Sequence, residues 1–283
     1  MRSKRKKVHN ERGVALIIVL LVTALLIALI FEFAYGTRVS MRGTVNFRDS
    51  QRAYYLARSG VNFVGLLLND NLKKGKLQEN IEQRDWQAVP ILTEASDTEL
   101  KVRWEDEGGK INVTNLTRGS DGYNRLGALF EMRGVNRDIL DQISAWMIEE
   151  KRNFNLLTEL HRFLSDEEFR KVQDGVTVYP LTLVAGNKIN INTASVDVLQ
   201  SVGLNPGMAG MIKERRDQEP FKTPQEISDF LGPSNVLAAG QLADTSDVFK
   251  VASYATVGGY TKQVEAIIRR TSSGFSVSYW RVL

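Results

Sequence analysis

Residues 14–31 form an unbroken run without a single charge, polar only at Thr23. Wound as an α-helix at about 1.5 Å per residue, eighteen such residues extend about 27 Å, close to the thickness of one hydrocarbon core. Burying that whole cylinder within protein would demand a very large partner surface, so a bilayer is its better solvent. The charges fit this reading. Residues 1–12 carry Arg2, Lys4, Arg5, Lys6, Lys7 and Arg12 against Glu11 alone. The remainder holds 31 basic and 32 acidic side chains, so the chain's net charge of +4 belongs to its N-terminal tip. A basic flank holds the start of an apolar span on the cytoplasmic side, which places the body beyond the membrane. The tract after the run, residues 32–37, lacks the small-x-small pattern of a secretory cleavage site.

Composition excludes several kinds of chemistry. There is no cysteine, hence no disulfide framework, thiolate metal site or cysteine nucleophile. Only His9 and His161 are histidines, and His161 reads as an exposed or capping residue. Gly108-Gly109-Lys110 is too short for a phosphate loop, and no Gly-x-Ser-x-Gly elbow occurs. An enzyme is not expected. Two acidic groups, residues 105–107 and 166–168, have oxygens that suit a hard cation. A solvated turn and a helix N-terminus favouring acids account for them better.

Beyond the apolar run the helix is expected to continue. Phe47, Tyr54, Val61 and Leu68 recur every seven residues, with Ser50, Ala57 and Val64 between them. That spacing makes one stripe. Arg42, Arg48, Arg52 and Arg58 lie off it as solvated or partner-facing charges, and residues 69–75 end the helix. Residues 99–104 and 111–116 alternate polar and apolar around a Gly-Gly turn and read as a β-hairpin. A second pair is expected at 248–256 and 262–271. In a last strand at 275–282, Phe275, Val277, Tyr279 and Arg281 should share one face.

Between the two groups of strands lies an internal repeat. Gly134-Val135-Asn136 is echoed by Gly203-Leu204-Asn205, and residues 154–164 by 221–231. Each Gly-apolar-Asn turn is flanked by helical segments. In the second copy Thr193 or Ser195 can cap a helix. The units resemble helix-hairpin-helix modules, which in many proteins hold DNA phosphates. A membrane-anchored DNA-binding protein of an uptake system is therefore the rival reading. Charge argues against it. Residues 187–232 hold five basic and six acidic side chains, and residues 123–164 hold six of each. Neither has the basic excess of a nucleic-acid face.

Basic residues leading directly through Arg12 and Gly13 into Val14 resemble the leader of the type IV pilin and pseudopilin families. The resemblance implies that a prepilin peptidase cuts between Gly13 and Val14 and methylates the Val14 amine. Most members carry Glu at the fifth mature position, where this chain has Ile18. That absence and the helical insert are similar to the minor pseudopilin K family of type II secretion. Some relatives carry cysteines in the insert, and this chain has none. The implied fold is α+β: a long N-terminal helix packed on an antiparallel sheet, with a large inserted α-helical domain holding two helix-hairpin-helix-like repeats. The implied segments are a leader (1–13), a transmembrane part (14–35), the pseudopilin helix and first hairpin (36–117), the insert (118–245) and the last strands (246–283). The implied role is at the tip of the pseudopilus, helping to initiate its assembly and protein export, with I- and J-type minor pseudopilins as partners and no nucleic acid. The implied place is the bacterial inner membrane, single pass, with the body in the periplasm. No cofactor is required for chemistry, and calcium in a structural role is compatible with the family.

Overall fold

A computed structural model of the chain describes residues 11–90, 97–114, 116–179, 187–271 and 273–283. It divides into two compact units, residues 1–52 and 53–283. The first helix, α1 (Glu11–Lys73), contributes to both. After it come β1 (Gln83–Ala88), β2 (Thr98–Asp106) and β3 (Ile111–Asn112). Helices α2 (Asp121–Met132), α3 (Ile139–Glu150) and α4 (Asp166–Val172) lead to β4 (Val176–Thr177) and β5 (Ile189–Asn190). Then follow α5 (Val196–Ser201), α6 (Pro206–Gln218), α7 (Pro224–Leu231), α8 (Val236–Gly240) and β6 (Leu242–Ala243). The chain closes with β7 (Val248–Val257), β8 (Tyr260–Thr271) and β9 (Gly274–Val282).

In the first unit, α1 exposes its apolar side chains on every face from Val14 to Phe31. The Thr23 hydroxyl donates to the carbonyl of Val19 four residues back (3.0 Å), so the run's one polar side chain brings no unpaired donor into lipid. Phe47, expected on the buried stripe, is 66% exposed. Periodicity shows which face of a helix is apolar, not what covers it.

In the second unit the stripe is buried. Ala57, Val61, Val64 and Leu68 pack on Leu100, Val102 and Trp104 of β2, on Phe249, Val251 and Ala255 of β7, and on Val264, Ala266 and Ile268 of β8. The helix lies closest to the sheet at Gly60. A Cβ there would collide with Ser253 Oγ and stand 3.0 Å from Leu100 Cδ1 and Val102 Cγ1. Arg58 is exposed, off the stripe as expected, and its guanidinium lies 5.4 Å from the centre of the Trp280 ring. The helix ends at Lys73, and Gly75 takes a left-handed φ of 66° just beyond it.

The sheet is antiparallel with strand order β1-β2-β7-β8-β9. The expected hairpin of residues 99–104 with 111–116 does not form. β2 pairs with β1 and β7, while β3 pairs in parallel with β4. The cause is that residues 105–110 are not a turn back but the exit from the sheet. The Gly108 carbonyl accepts from Asn190 N (2.8 Å), far along the chain. The β7–β8 pair and β9 fall where alternation puts them, with one correction. A bulge between the pairs Ile267–Tyr279 and Ile268–Val277 drops Ser278 out of register. Phe275 stays on the helix side against Phe249, and Trp280 joins it there against Tyr54. Tyr279 and Arg281 are thereby turned to the other face.

The helices between β2 and β7 have their own core, running from Ile111 to Leu242 and including Leu126, Leu140, Ile143, Leu199 and Ile212. Its two halves are built alike. Gly134 (φ 67°) and Gly203 (φ 96°) make the left-handed turns between α2 and α3 and between α5 and α6. Glu159 accepts from the backbone N–H groups of Asn155 and Leu156 (2.9 and 3.1 Å), and Glu226, 67 residues on, from that of Lys222 (2.9 Å). The short parallel pairs β3–β4 and β5–β6 bracket the two halves. Both open on an Ile-Asn dipeptide, Ile111-Asn112 and Ile189-Asn190, an echo the repeat comparison missed.

Candidate functional site

Gly13 and Val14 stand on exposed turns near the start of α1, and Ile18 follows one turn later at 56% exposure. Ile18 continues an apolar surface, so nothing at this level of the helix can pair with an amine or another charge.

The joint between sheet and insert is the most polar buried place in the described residues. Asp106 stands on the inward-facing parity of β2, in line with Leu100, Val102 and Trp104, and is 2% exposed. Its Oδ1 accepts from Gly108 N (2.8 Å), and its Oδ2 from Asn190 Nδ2 (2.7 Å) and Thr193 Oγ1 (2.6 Å). Burial pushes this carboxyl up to about 6, against the opposing pull of Ser246, Thr193, Gly108 and Asn190. The next residue, Glu107, accepts from Thr177 Oγ1 and pairs with Lys110 Nζ at 2.8 Å. Burial opposes the Lys110 charge, but Glu107 and Glu105 more than offset it and hold the ammonium above its ordinary value. Adjacent carboxylates thus grip the two halves of the insert, Asp106 at the entry of the second and Glu107 at the exit of the first. Sequence reading took this tract for a solvated turn. The signal that could have corrected it is the parity of Asp106 on an inward-facing strand register. Thr193, a candidate helix cap, is committed to Asp106, and Ser195 caps α5 instead, accepting from Val198 N (3.3 Å).

The acidic groups offered for a cation are engaged with protein. Glu105 reaches Lys110 at 3.3 Å. In the second group Glu168 caps α4 by accepting from Ser165 N (2.9 Å), Glu167 pairs with Lys171 (2.8 Å), and Asp166 lies 3.2 Å from His161 Nδ1. Among the described residues no three metal-binding side chains converge.

The repeat turns are built for protein rather than phosphate. Asn205, where a second glycine would free the backbone, has φ −74° and caps α6, accepting from Met208 N at 2.8 Å. Asn136 likewise accepts from Asp138 N at 2.9 Å. One main-chain donor at each turn is therefore taken by the asparagine side chain. Four of the five basic side chains of the second repeat are engaged within the protein too. Lys213 pairs with Asp217 (3.4 Å), Arg215 with Glu219 (3.7 Å), and Lys222 with Glu219 (3.0 Å). Arg216 donates to the carbonyls of Ile191 and Ala194 (2.7 Å each).

In the second unit a helix lies on an antiparallel sheet that opens between β2 and β7 to admit further helices, a pilin-like fold with an insert, and residues 14–31 of the same helix are long and apolar enough to cross a membrane. Over 263 residues, 79% of this chain and 78% of the relative, it is 24% identical to the type II secretion system protein K of Pseudomonas aeruginosa. This is a resemblance to the minor pseudopilin K family of type II secretion over most of the chain. A helix-hairpin-helix motif model matches residues 184–233. Among solved structures, a chain in the crystal structure of the GspK-GspI-GspJ complex from the type 2 secretion system of enterotoxigenic Escherichia coli superposes with a TM-score of 0.62. It shares 14% identity, with 85% of this chain and 99% of that chain covered, which is a likeness of fold.

Proposed function

We propose that this protein is a minor pseudopilin that stands at the tip of a type II secretion pseudopilus, where it helps to start assembly and so supports export across the outer membrane. The carrying observation is that the likeness to protein K includes the helical insert as well as the pilin-like helix and sheet. Its partners are other minor pseudopilins of the I and J types. No residue constellation for catalysis is assigned, and the work is assembly. The chain enters the inner membrane by residues 14–31, leaving the body on the periplasmic side. The prepilin peptidase cuts between Gly13 and Val14 and methylates Val14. Two features support the tip. Ile18 offers no carboxylate to the amine of a neighbouring subunit. The insert is too bulky to let a subunit stack above it.

Intact mass of the protein purified from membranes tests the reading. The expected chain begins at a methylated Val14, and Gly13→Leu keeps the leader, because a side chain there crowds the peptidase. A mature chain of unreduced length, or one cut near Gly36, would remove the pilin reading.

A further inference from the structure

β9 is an edge strand, and no further strand covers it among the described residues. Natural edges are blunted by charge, by proline or by a covering element. At the opposite edge, β1 carries Arg84 and Asp85 and is irregular in register. β9 carries one charge, Arg281, and that guanidinium is turned back onto Glu265 of the neighbouring strand at 2.6 Å. Val277 and Val282 are 45% and 46% exposed.

The backbone of this edge can be assigned. Leu283 N donates to the carbonyl of Gln263 on the β8 side (2.9 Å). Antiparallel pairing alternates bonded and outward-pointing residues. The N–H and C=O groups of Val282 and Trp280 therefore point away from β8, toward the open edge. Beside the same strand, on its helix side, runs a groove of about 360 Å³ between α1 and β9. Leu66 (69% exposed), Phe275 and Val277 give it apolar walls, and Gly65 leaves its floor open.

We propose that β9 is a docking edge that takes an extended strand from another pilin-like subunit of the same filament, by β-augmentation. A row of outward backbone donors and acceptors matches the spacing of an extended chain, which can replace the water on it. The groove then receives apolar side chains at every second position of that strand, since alternate residues of a strand face one side. The inference rests on the reading of this chain as a pseudopilin, which supplies subunits of that kind as its neighbours. A second copy is not the occupant, because pairing β9 with itself would close two tips on each other.

The test uses the full chain extracted from membranes in mild detergent. Val282→Pro removes one outward N–H and leaves the bonds to β8, which an edge position tolerates. Val277→Lys puts a charge into the groove wall. Both should keep the wild-type circular dichroism and melting midpoint, while recovery of co-purified pilin-like subunits, identified by mass, falls about tenfold. A photoreactive residue at position 282 should crosslink to a strand of such a subunit. Unchanged recovery with both variants overturns the docking edge, as does a crosslink to a second copy or to no protein. If the wild-type chain recovers no pilin-like subunit at all, the pseudopilin reading falls as well, so the two failures are distinguishable.

Discussion

Gly60 and Gly65 lie five residues apart on the same helix and should respond oppositely to the same substitution. Replacing glycine by alanine within a helix contributes about 1 kcal/mol through backbone entropy alone. At Gly65 nothing lies within 4 Å of the added methyl group, so Gly65→Ala should stabilise the isolated subunit by about 0.5–1 kcal/mol. At Gly60 the new Cβ meets Ser253 Oγ and sits 3.0 Å from two further side-chain carbons, tighter than an unstrained carbon contact near 3.5 Å. Overpacking of this kind costs about 1–3 kcal/mol, which outweighs the entropic gain. Gly60→Ala should be net destabilising by about 1–2 kcal/mol. The Ser253 hydroxyl is buried and has no hydrogen-bond partner among the described residues, so Ser253→Ala removes the colliding atom without breaking a bond seen there. In the double variant most of the loss should return, a coupling between neighbours of about 1 kcal/mol. The assay is urea unfolding of the detergent-solubilised chain, followed by tryptophan fluorescence. If Gly60→Ala stabilised as much as Gly65→Ala, the close approach of helix and sheet at Gly60 would be wrong.

The Asp106 carboxyl, raised by burial from 3.8 to about 6 in the folded chain, favours the protonated form on folding. Its contribution to stability is fully present below about pH 4 and lost as pH rises through 6, by about 3 kcal/mol at 1.4 kcal/mol per unit. Asp106→Asn should flatten that part of the pH–stability curve. Curves running parallel from pH 4 to 7.5 would refute it, and the rise that burial gives Glu82 is common to both proteins and cancels. Ile18→Glu places a carboxylate in the membrane span at a cost of about 3 kcal/mol or more, and a tip subunit gains nothing from it. Improved secretion, or abundance of the variant along the filament, would count against the tip. Duplex DNA titrated at two salt concentrations should show no binding at moderate salt. Micromolar affinity with a steep salt slope, lost on replacing Lys213, Arg215 and Arg216 by alanine, would favour DNA uptake instead.

What the sequence made legible follows from where the signal is local. The membrane span is a property of consecutive side chains, and α1, β7 and β8 follow from periodicities of 3.6 and 2. The repeat turns were visible because a left-handed φ at Gly134 and Gly203 calls for glycine. Three things were not local. β1 is a polar strand, and only its pairing with β2 makes it one. The partner of Ile111-Asn112 lies 65 residues away and runs parallel, which a Gly-Gly turn cannot announce. Asp106 reads as a solvated acid until Asn190 and Thr193, more than 80 residues on, are brought to its Oδ2. The proposed processing residues are the opposite case, since Gly13 and Val14 are read from their neighbours in sequence rather than from any contact in the fold.

The way the insert is admitted bears on the proposed role at the tip. β2 and β7 are hydrogen-bonded neighbours, and their last and first residues meet, with Asp106 opposite Phe249 and Glu107 N donating to the Val248 carbonyl at 3.0 Å. Entry and exit are thus side by side, and the sheet closes below the insertion as though nothing had been added. A long insertion at such a point costs the sheet little, because loop closure grows only slowly with length. It could still swing on two strands of backbone. Here it is tied at both halves: Asp106 holds Asn190 and Thr193, Glu107 holds Thr177, and Lys110 is buried between Glu105 and Glu107. Freeing any of these buried groups would leave a donor or a charge without its partner. The insert is therefore tied to the end of the sheet at both of its halves. Such ties are what the proposed tip subunit needs if its bulk is to bar another from stacking above it.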